Sequence, residues 1–141
     1  MTPETSPPAV FAALRSLARE GPVEVTVRGG CMAPLLADGG RVRVGAARLY
    51  LPGDVVVFRA ADGRLIAHRL LGYRLHAGRF ALVTRGDSCP VHDAPVPLAA
   101  VLGRVEAAQA PAALRLRALL RFLGLGLGRL VRPRVRPQVR K

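Results

Sequence analysis

The chain has no tryptophan, and aromatic residues make up only 4% of it, so there is little ring surface for stacking on nucleobases. It has a single lysine, the terminal Lys141, which excludes any mechanism built on a buried lysine base. Two cysteines, Cys31 and Cys89, are too few for a disulfide scaffold. Long apolar runs are missing too. The longest charge-free stretch of the carboxy-terminal part, Phe122 to Gly128, is seven residues, against about 20 for a membrane-crossing helix. Met1 to Pro8 carries neither a basic start nor an apolar core, so no signal peptide is expected. The resulting expectation is a cytoplasmic or peripheral membrane protein without a transmembrane span. Acids are scarce as well: 9 Asp and Glu face 22 Lys and Arg, a net charge of +13.

What is present suits one domain with a tail. A chain of 141 residues, 50% of them hydrophobic, can bury an independent core and is not a disordered polymer. The charge is uneven. Pro111 to Lys141 holds nine cations (Arg115, Arg117, Arg121, Arg129, Arg132, Arg134, Arg136, Arg140 and Lys141) and no acid, which leaves +4 for the first 110 residues. The basic character belongs to the tail. An Ala- and Arg-rich composition points to a bacterium with a GC-rich genome.

Val10, Phe11, Leu14 and Leu17 lie near helical spacing, and Gly21-Pro22 closes the segment, so a short amphipathic helix is expected over 1–21. Between 22 and 109 come short runs rich in Val, Leu and Ile, separated by Gly, Pro and Asp. They are Val23–Val27, Arg41–Val44, Asp54–Arg59, Arg64–Leu71, Phe80–Arg85 and Val101–Val105. Several alternate apolar with polar residues, which predicts a mainly β domain, a twisted sheet that is open or barrel-like. Residues 110–141 read as a basic amphipathic helix weakened by Gly124, Gly126 and Gly128, followed by an extended Arg-Pro-Val end.

Three segments hold the residue types of covalent catalysis. They are Gly29-Gly30-Cys31-Met32-Ala33-Pro34-Leu35-Leu36, then Leu65-Ile66-Ala67-His68-Arg69-Leu70-Leu71, and Thr84-Arg85-Gly86-Asp87-Ser88-Cys89-Pro90-Val91-His92-Asp93. A nucleophile needs a base to take its proton, and the base needs an acid to hold its tautomer and stabilise its cation.

Over roughly Val23 to Val105 the sequence resembles the signal peptidase I family. The family pattern Gly-x-Ser-Met-x-Pro-x-Leu is matched by Gly29 to Leu36, with Cys31 in place of the serine. A Gly-Asp-strand element is echoed by Asp38-Gly39-Gly40-Arg41-Val42, and the Pro-Gly-Asp-Val-Val-x-Phe box is Pro52 to Phe58. His68-Arg69-Leu70-Leu71, Gly86-Asp87-Ser88 and Val101-Leu102-Gly103-Arg104-Val105 complete six motifs in family order. His68 at the base position resembles the histidine type of the family, found in the endoplasmic reticulum and in archaea. In that type an aspartate six residues after the turn aspartate completes the site, and that position is Asp93.

The resemblance therefore implies a signal-peptidase-like twisted, coiled β-sheet domain and an endopeptidase with Cys31, His68 and Asp93 as catalytic residues. Gly86, Asp87 and Ser88 would form a structural turn. Met32 and Pro34 would either pack the loop or line the groove for a polypeptide substrate, an extended leader-type segment. No cofactor is implied. Cys31 departs from the family serine, which leaves a working cysteine peptidase, a weakened enzyme or a peptide-binding pseudoenzyme. Gly29 departs where some members carry a hydroxyl for the oxyanion, which leaves backbone N–H groups, chiefly that of Cys31.

Other readings use the same residues. Cys31 could be a small buried hydrophobe, His68 a core histidine, and Asp87 and Asp93 turn caps. Cys31, His68, Cys89 and His92 form a two-Cys, two-His set of the kind zinc takes, and Cys31 with Cys89 could form a disulfide if their loops converge. His76 lies outside every motif and is expected at the surface. For the tail, interleaved Arg and Leu suit an anionic membrane surface. Nucleic acid is a weaker fit, with only Phe122 to stack on a base, and a solvated tail without a specific role is the third reading.

Overall fold

The computed structural model describes residues 7–106 and Leu120. The basic helix and extended end expected over 110–141 lie, apart from that one residue, outside the described residues, as does the start of the expected 1–21 segment. Within them the chain is mainly β: a 13-residue α-helix, α1 (Pro8–Glu20), one short 3-10 turn (Leu98–Ala100) and seven strands. The strands are β1 (Val23–Thr26), β2 (Arg41–Gly45), β3 (Val55–Arg59), β4 (Leu65–His76), β5 (Arg79–Arg85), β6 (Val96–Pro97) and β7 (Val101–Val105). They form a single antiparallel sheet in the order β1-β2-β7-β3-β4-β5-β6. The sheet curls into a half-barrel. Arg28, just beyond β1, donates its backbone N–H to the carbonyl of Leu65 at the start of β4, 3.2 Å away, although three strands separate β1 from β4 in the sheet order.

The central strand β3 is buried along Val55 to Phe58, and its alternation serves two cores. Val55 and Val57 join Phe11, Ala18, Val25, Val27, Met32, Val42, Val44, Ala67, Leu102 and Val105. Val56 and Phe58 join Tyr50, Leu70, Leu82, Val96 and Val101. Side chains two apart along a strand share a face, so one Val-rich strand seals both sides of the sheet. Each such side chain contributes about 1.5–3 kcal/mol when fully buried.

The helix α1 starts on Pro7-Pro8, where the missing proline N–H costs nothing at a first turn. Phe11, Leu14 and Ala18 face the core, and Val10 and Leu17 point to solvent. This corrects the expected apolar stripe, because the 3.6-residue period brings Ala18 rather than Leu17 beneath Phe11 and Leu14. β4 is longer than its predicted run. Gly72 reads as a terminator in sequence, but a register shift between Leu70 and Gly72 absorbs it. The β4–β5 hairpin then turns at Ala77 and Gly78, both with positive φ, the geometry of a tight two-residue turn. β6 was invisible in sequence because it has two residues, one of them proline.

Candidate active site

The expected site residues lie on one strand and on two loops. Cys31 follows β1 on a loop whose entry is set by Gly29, at a φ of 100° that favours glycine. The Gly29 N–H donates to Asp38 Oδ1 at 2.8 Å, which closes the loop back toward β2. Met32 is 2% exposed and sits in the core with Val27 and Val42. Of its two sequence readings, loop packing or the substrate groove, this burial fits loop packing. Pro34, after a cis peptide bond, is exposed.

His68 lies on β4 opposite Val56 of β3 and is 6% exposed, with its ring edge-on to Phe58 at 5.9 Å. Its position is reinforced by the Pro52-Gly53-Asp54 turn. Gly53 N–H donates to the Leu70 carbonyl, and Leu70 N–H donates to the Asp54 carbonyl, both at 2.8 Å. The Asp54 carboxylate accepts the Leu51 N–H at 2.9 Å. The proline-glycine-aspartate box therefore acts as a clamp on the strand that carries the histidine.

Asp93 reaches His68 from the loop after β5. Its Oδ2 is 2.6 Å from His68 Nδ1 and accepts the Thr84 hydroxyl at 2.6 Å. Its backbone N–H donates to the Thr84 carbonyl at 2.9 Å. Thr84 is fully buried, so one core threonine fixes both the backbone and the carboxylate of Asp93. With Nδ1 held by a carboxylate, Nε2 is the nitrogen left to exchange a proton or bind a cation. Sequence reading had no role for Thr84. Its signal would have been the one uncharged polar residue in the strand Arg79–Arg85.

The cysteines converge. The sulfurs of Cys31 and Cys89 and a ring nitrogen of His68 all lie within 4.8 Å of one another. Both cysteines are free and half-buried, so the loops meet as the disulfide reading required, without the bond. A hydrogen bond to Cys31 pushes the Cys89 thiol above its ordinary pKa, with burial as the second cause. Ser88 ties the two loops, since its N–H and its hydroxyl each donate to the Cys31 carbonyl at 2.9 Å. Gly86 permits the approach. A Cβ there would lie 2.5 Å from Cys31 Cβ and 2.9 Å from Cys89 Sγ, so no larger residue fits without moving a loop.

His92 is exposed and outside this cluster, which corrects the four-ligand metal set. Asp93 turns inward to His68 and Thr84, while its neighbour His92 faces solvent. Asp87 is bound not by its own turn but by Arg69, whose Nε and Nη2 donate to the two carboxylate oxygens at 2.7 Å each. That pair holds the Asp87 carboxyl below the ordinary range and raises Arg69, the hydrogen bond being the main cause for both. Arg69 Nη1 also donates to the Gly53 carbonyl at 2.9 Å. His76 is exposed at the end of β4.

A cavity of about 870 Å³ is lined by Arg15, Arg19, Arg48, Tyr50, Tyr73 and Phe80 among others and includes none of the clustered residues. Hollow volume and reactive chemistry are in different places here, and the chemistry marks the candidate site. No helix among the described residues is long and apolar enough to cross a membrane. No protein-family model matches the chain, and no curated protein matches it.

Proposed function

We propose that this chain is an endopeptidase resembling signal peptidase I, with Cys31 as nucleophile, His68 as general base and Asp93 as the orienting acid. The observation that carries the reading is the His68–Asp93 contact of 2.6 Å beside a cysteine sulfur no more than 4.8 Å from the imidazole. A buried imidazole held by a carboxylate that is itself held by Thr84 is a preorganised base. In this mechanism His68 Nε2 takes the Cys31 thiol proton as sulfur bonds to the scissile carbonyl carbon. The developing oxyanion is met by backbone N–H groups, chiefly that of Cys31. The carbon–nitrogen bond then breaks, and His68 delivers the proton to the leaving amine. Water hydrolyses the thioester and regenerates the thiol.

The substrate would be an extended segment with small side chains near the cleavage point. β1 is an edge strand and runs directly into the Cys31 loop, so strand addition along β1 would carry a peptide toward the sulfur. The basic segment Pro111–Lys141 would hold the domain against an anionic membrane surface.

A second reading, a peptide-binding pseudoenzyme, is favoured by Cys89, whose sulfur lies within 4.8 Å of both the Cys31 sulfur and a His68 ring nitrogen. A peptide library incubated with wild type, Cys31→Ala, Cys31→Ser and His68→Ala separates the two. Cleavage by wild type that is lost in both alanine variants and blocked by iodoacetamide on Cys31 supports the cysteine peptidase. Cleavage by Cys31→Ser alone means that the fold is competent and cysteine silences it. Peptide binding without cleavage by any variant favours the pseudoenzyme.

A further inference from the structure

Cys89 has no part in the peptidase reaction, yet it sits against the two groups that do. We infer that Cys31, His68 and Cys89 form a three-ligand site for a borderline-soft divalent cation, zinc(II), and that filling it silences Cys31. The silencing rests on the peptidase reading; the binding does not.

Two thiols and one imidazole are the donors such a cation prefers over the oxygen ligands that magnesium and calcium take. Tetrahedral zinc, with Zn–S near 2.3 Å and Zn–N near 2.0–2.1 Å, sets its donors about 3.4–3.8 Å apart. The three donor atoms already lie within 4.8 Å of one another, so the loops close by no more than about 1.0–1.4 Å. Gly86 is what lets them stand so close, since its missing Cβ would otherwise sit between the two cysteines.

The shell behind the ligands is built as well. A histidine that binds a metal through one nitrogen usually has the other held by a carboxylate, which orients the ring and strengthens the donor. Asp93 does this at His68 Nδ1, and Thr84 holds Asp93. Ser88 fixes the Cys31 backbone through its carbonyl. Both cysteines are half-buried, so an ion from solvent has access to them.

On binding, each thiol loses a proton to solvent and each sulfur gives an electron pair to the metal, so two thiolates balance the dication. No electron is transferred. The Cys31 pair is then committed to the cation and cannot attack a carbonyl.

The test uses the full chain, reduced and stripped of metal, titrated with zinc(II) against a chromophoric chelator. The expected result is one zinc per chain, with affinity lowered at least about tenfold in Cys89→Ser and in His68→Gln and unchanged in His92→Asn. Zinc should protect Cys31 and Cys89 from iodoacetamide together, and cobalt(II) in its place should show a thiolate charge-transfer band. In the peptide assay, half-inhibition by zinc should need at least about tenfold more metal for Cys89→Ser than for wild type. Failure to bind at micromolar zinc, equal binding by Cys89→Ser, or unprotected cysteines would overturn the site. Cleavage that rises with zinc would overturn the silencing. If no preparation cleaves any peptide, the peptidase reading falls, while stoichiometry and cysteine protection still decide the metal site.

Discussion

His68 and Arg69 are neighbours on one strand, and each takes an aspartate from the same loop, yet the two pairs do different work. Strand alternation sends them to opposite faces. His68 goes to a buried setting beside Phe58, where Asp93 and Thr84 complete a closed chain of hydrogen bonds. Arg69 goes to a half-exposed one, where its pairing with Asp87 and the Gly53 carbonyl fastens the loop to the strand. An imidazole can give and take a proton near neutral pH, whereas a guanidinium cannot. The same kind of contact thus holds a buried imidazole on one face, the base of the proposed reaction, and makes a fastener on the other.

The largest expected contrast is in turnover. Asp93→Asn should lower peptide cleavage on the order of 10²–10⁴-fold, because the base loses its orienting charge. Asp87→Asn should change kcat by less than about tenfold, because its partner moves no proton. Equal losses in the two variants, measured side by side, would abolish the division of labour.

Gly86→Ala should come next. The added methyl collides with Cys31 and Cys89, and such overpacking costs typically about 1–3 kcal/mol. Denaturant unfolding gives that cost directly. A variant as stable as wild type would mean that the two loops part easily.

Removing the Asp87–Arg69 pair should cost about 1 kcal/mol, since solvent reaches both partners. Its pH dependence has a definite sign. Arg69 holds the folded Asp87 carboxyl below its usual value, so the pair stabilises fully above the ordinary aspartate pKa near 3.9. That stabilisation fades as pH falls through the lower folded value. Unfolding midpoints of wild type and Asp87→Asn should therefore differ at neutral pH and converge in acid. A gap that stays constant down to acid pH would remove Arg69 as the cause.

The smallest effect concerns the two thiols. Cys31 raises the pKa of Cys89 through their hydrogen bond, and thiolate is the species that alkylates. In Cys31→Ala, Cys89 should react with iodoacetamide several-fold faster than in wild type under mildly alkaline conditions. Mass spectrometry of the modified peptide reads the rate, and an unchanged rate would remove the sulfur–sulfur contact from the account.

Much of the architecture is legible in the sequence. Alternation of valine with charged residues in Val23–Thr26 and Arg41–Gly45 encodes strands with one buried face, and the structure has them. The glycine, proline and aspartate turns fell at strand ends because those residues supply turn geometry locally. The site was legible only in parts. Cys31, His68 and Asp93 stood out by type and order, but Thr84 looked like strand filling and Asp87 like a turn cap. Their partners, Asp93 and Arg69, are distant in sequence or on another strand. His92 looked as suitable a ligand as Cys89, and only the path of the folded loop separates them.

The sequence by itself determined the elements, the turns and the candidate reactive types, since backbone propensity and side-chain period act over a few residues. Only the tertiary structure decided which of those side chains meet. The curl of the sheet brings the end of β1 to the start of β4, and the loop after β5 folds back on Thr84 and Cys31. Such contacts depend on sheet register, packing and the room left by one absent methyl at Gly86, and no local pattern of residues records those distances.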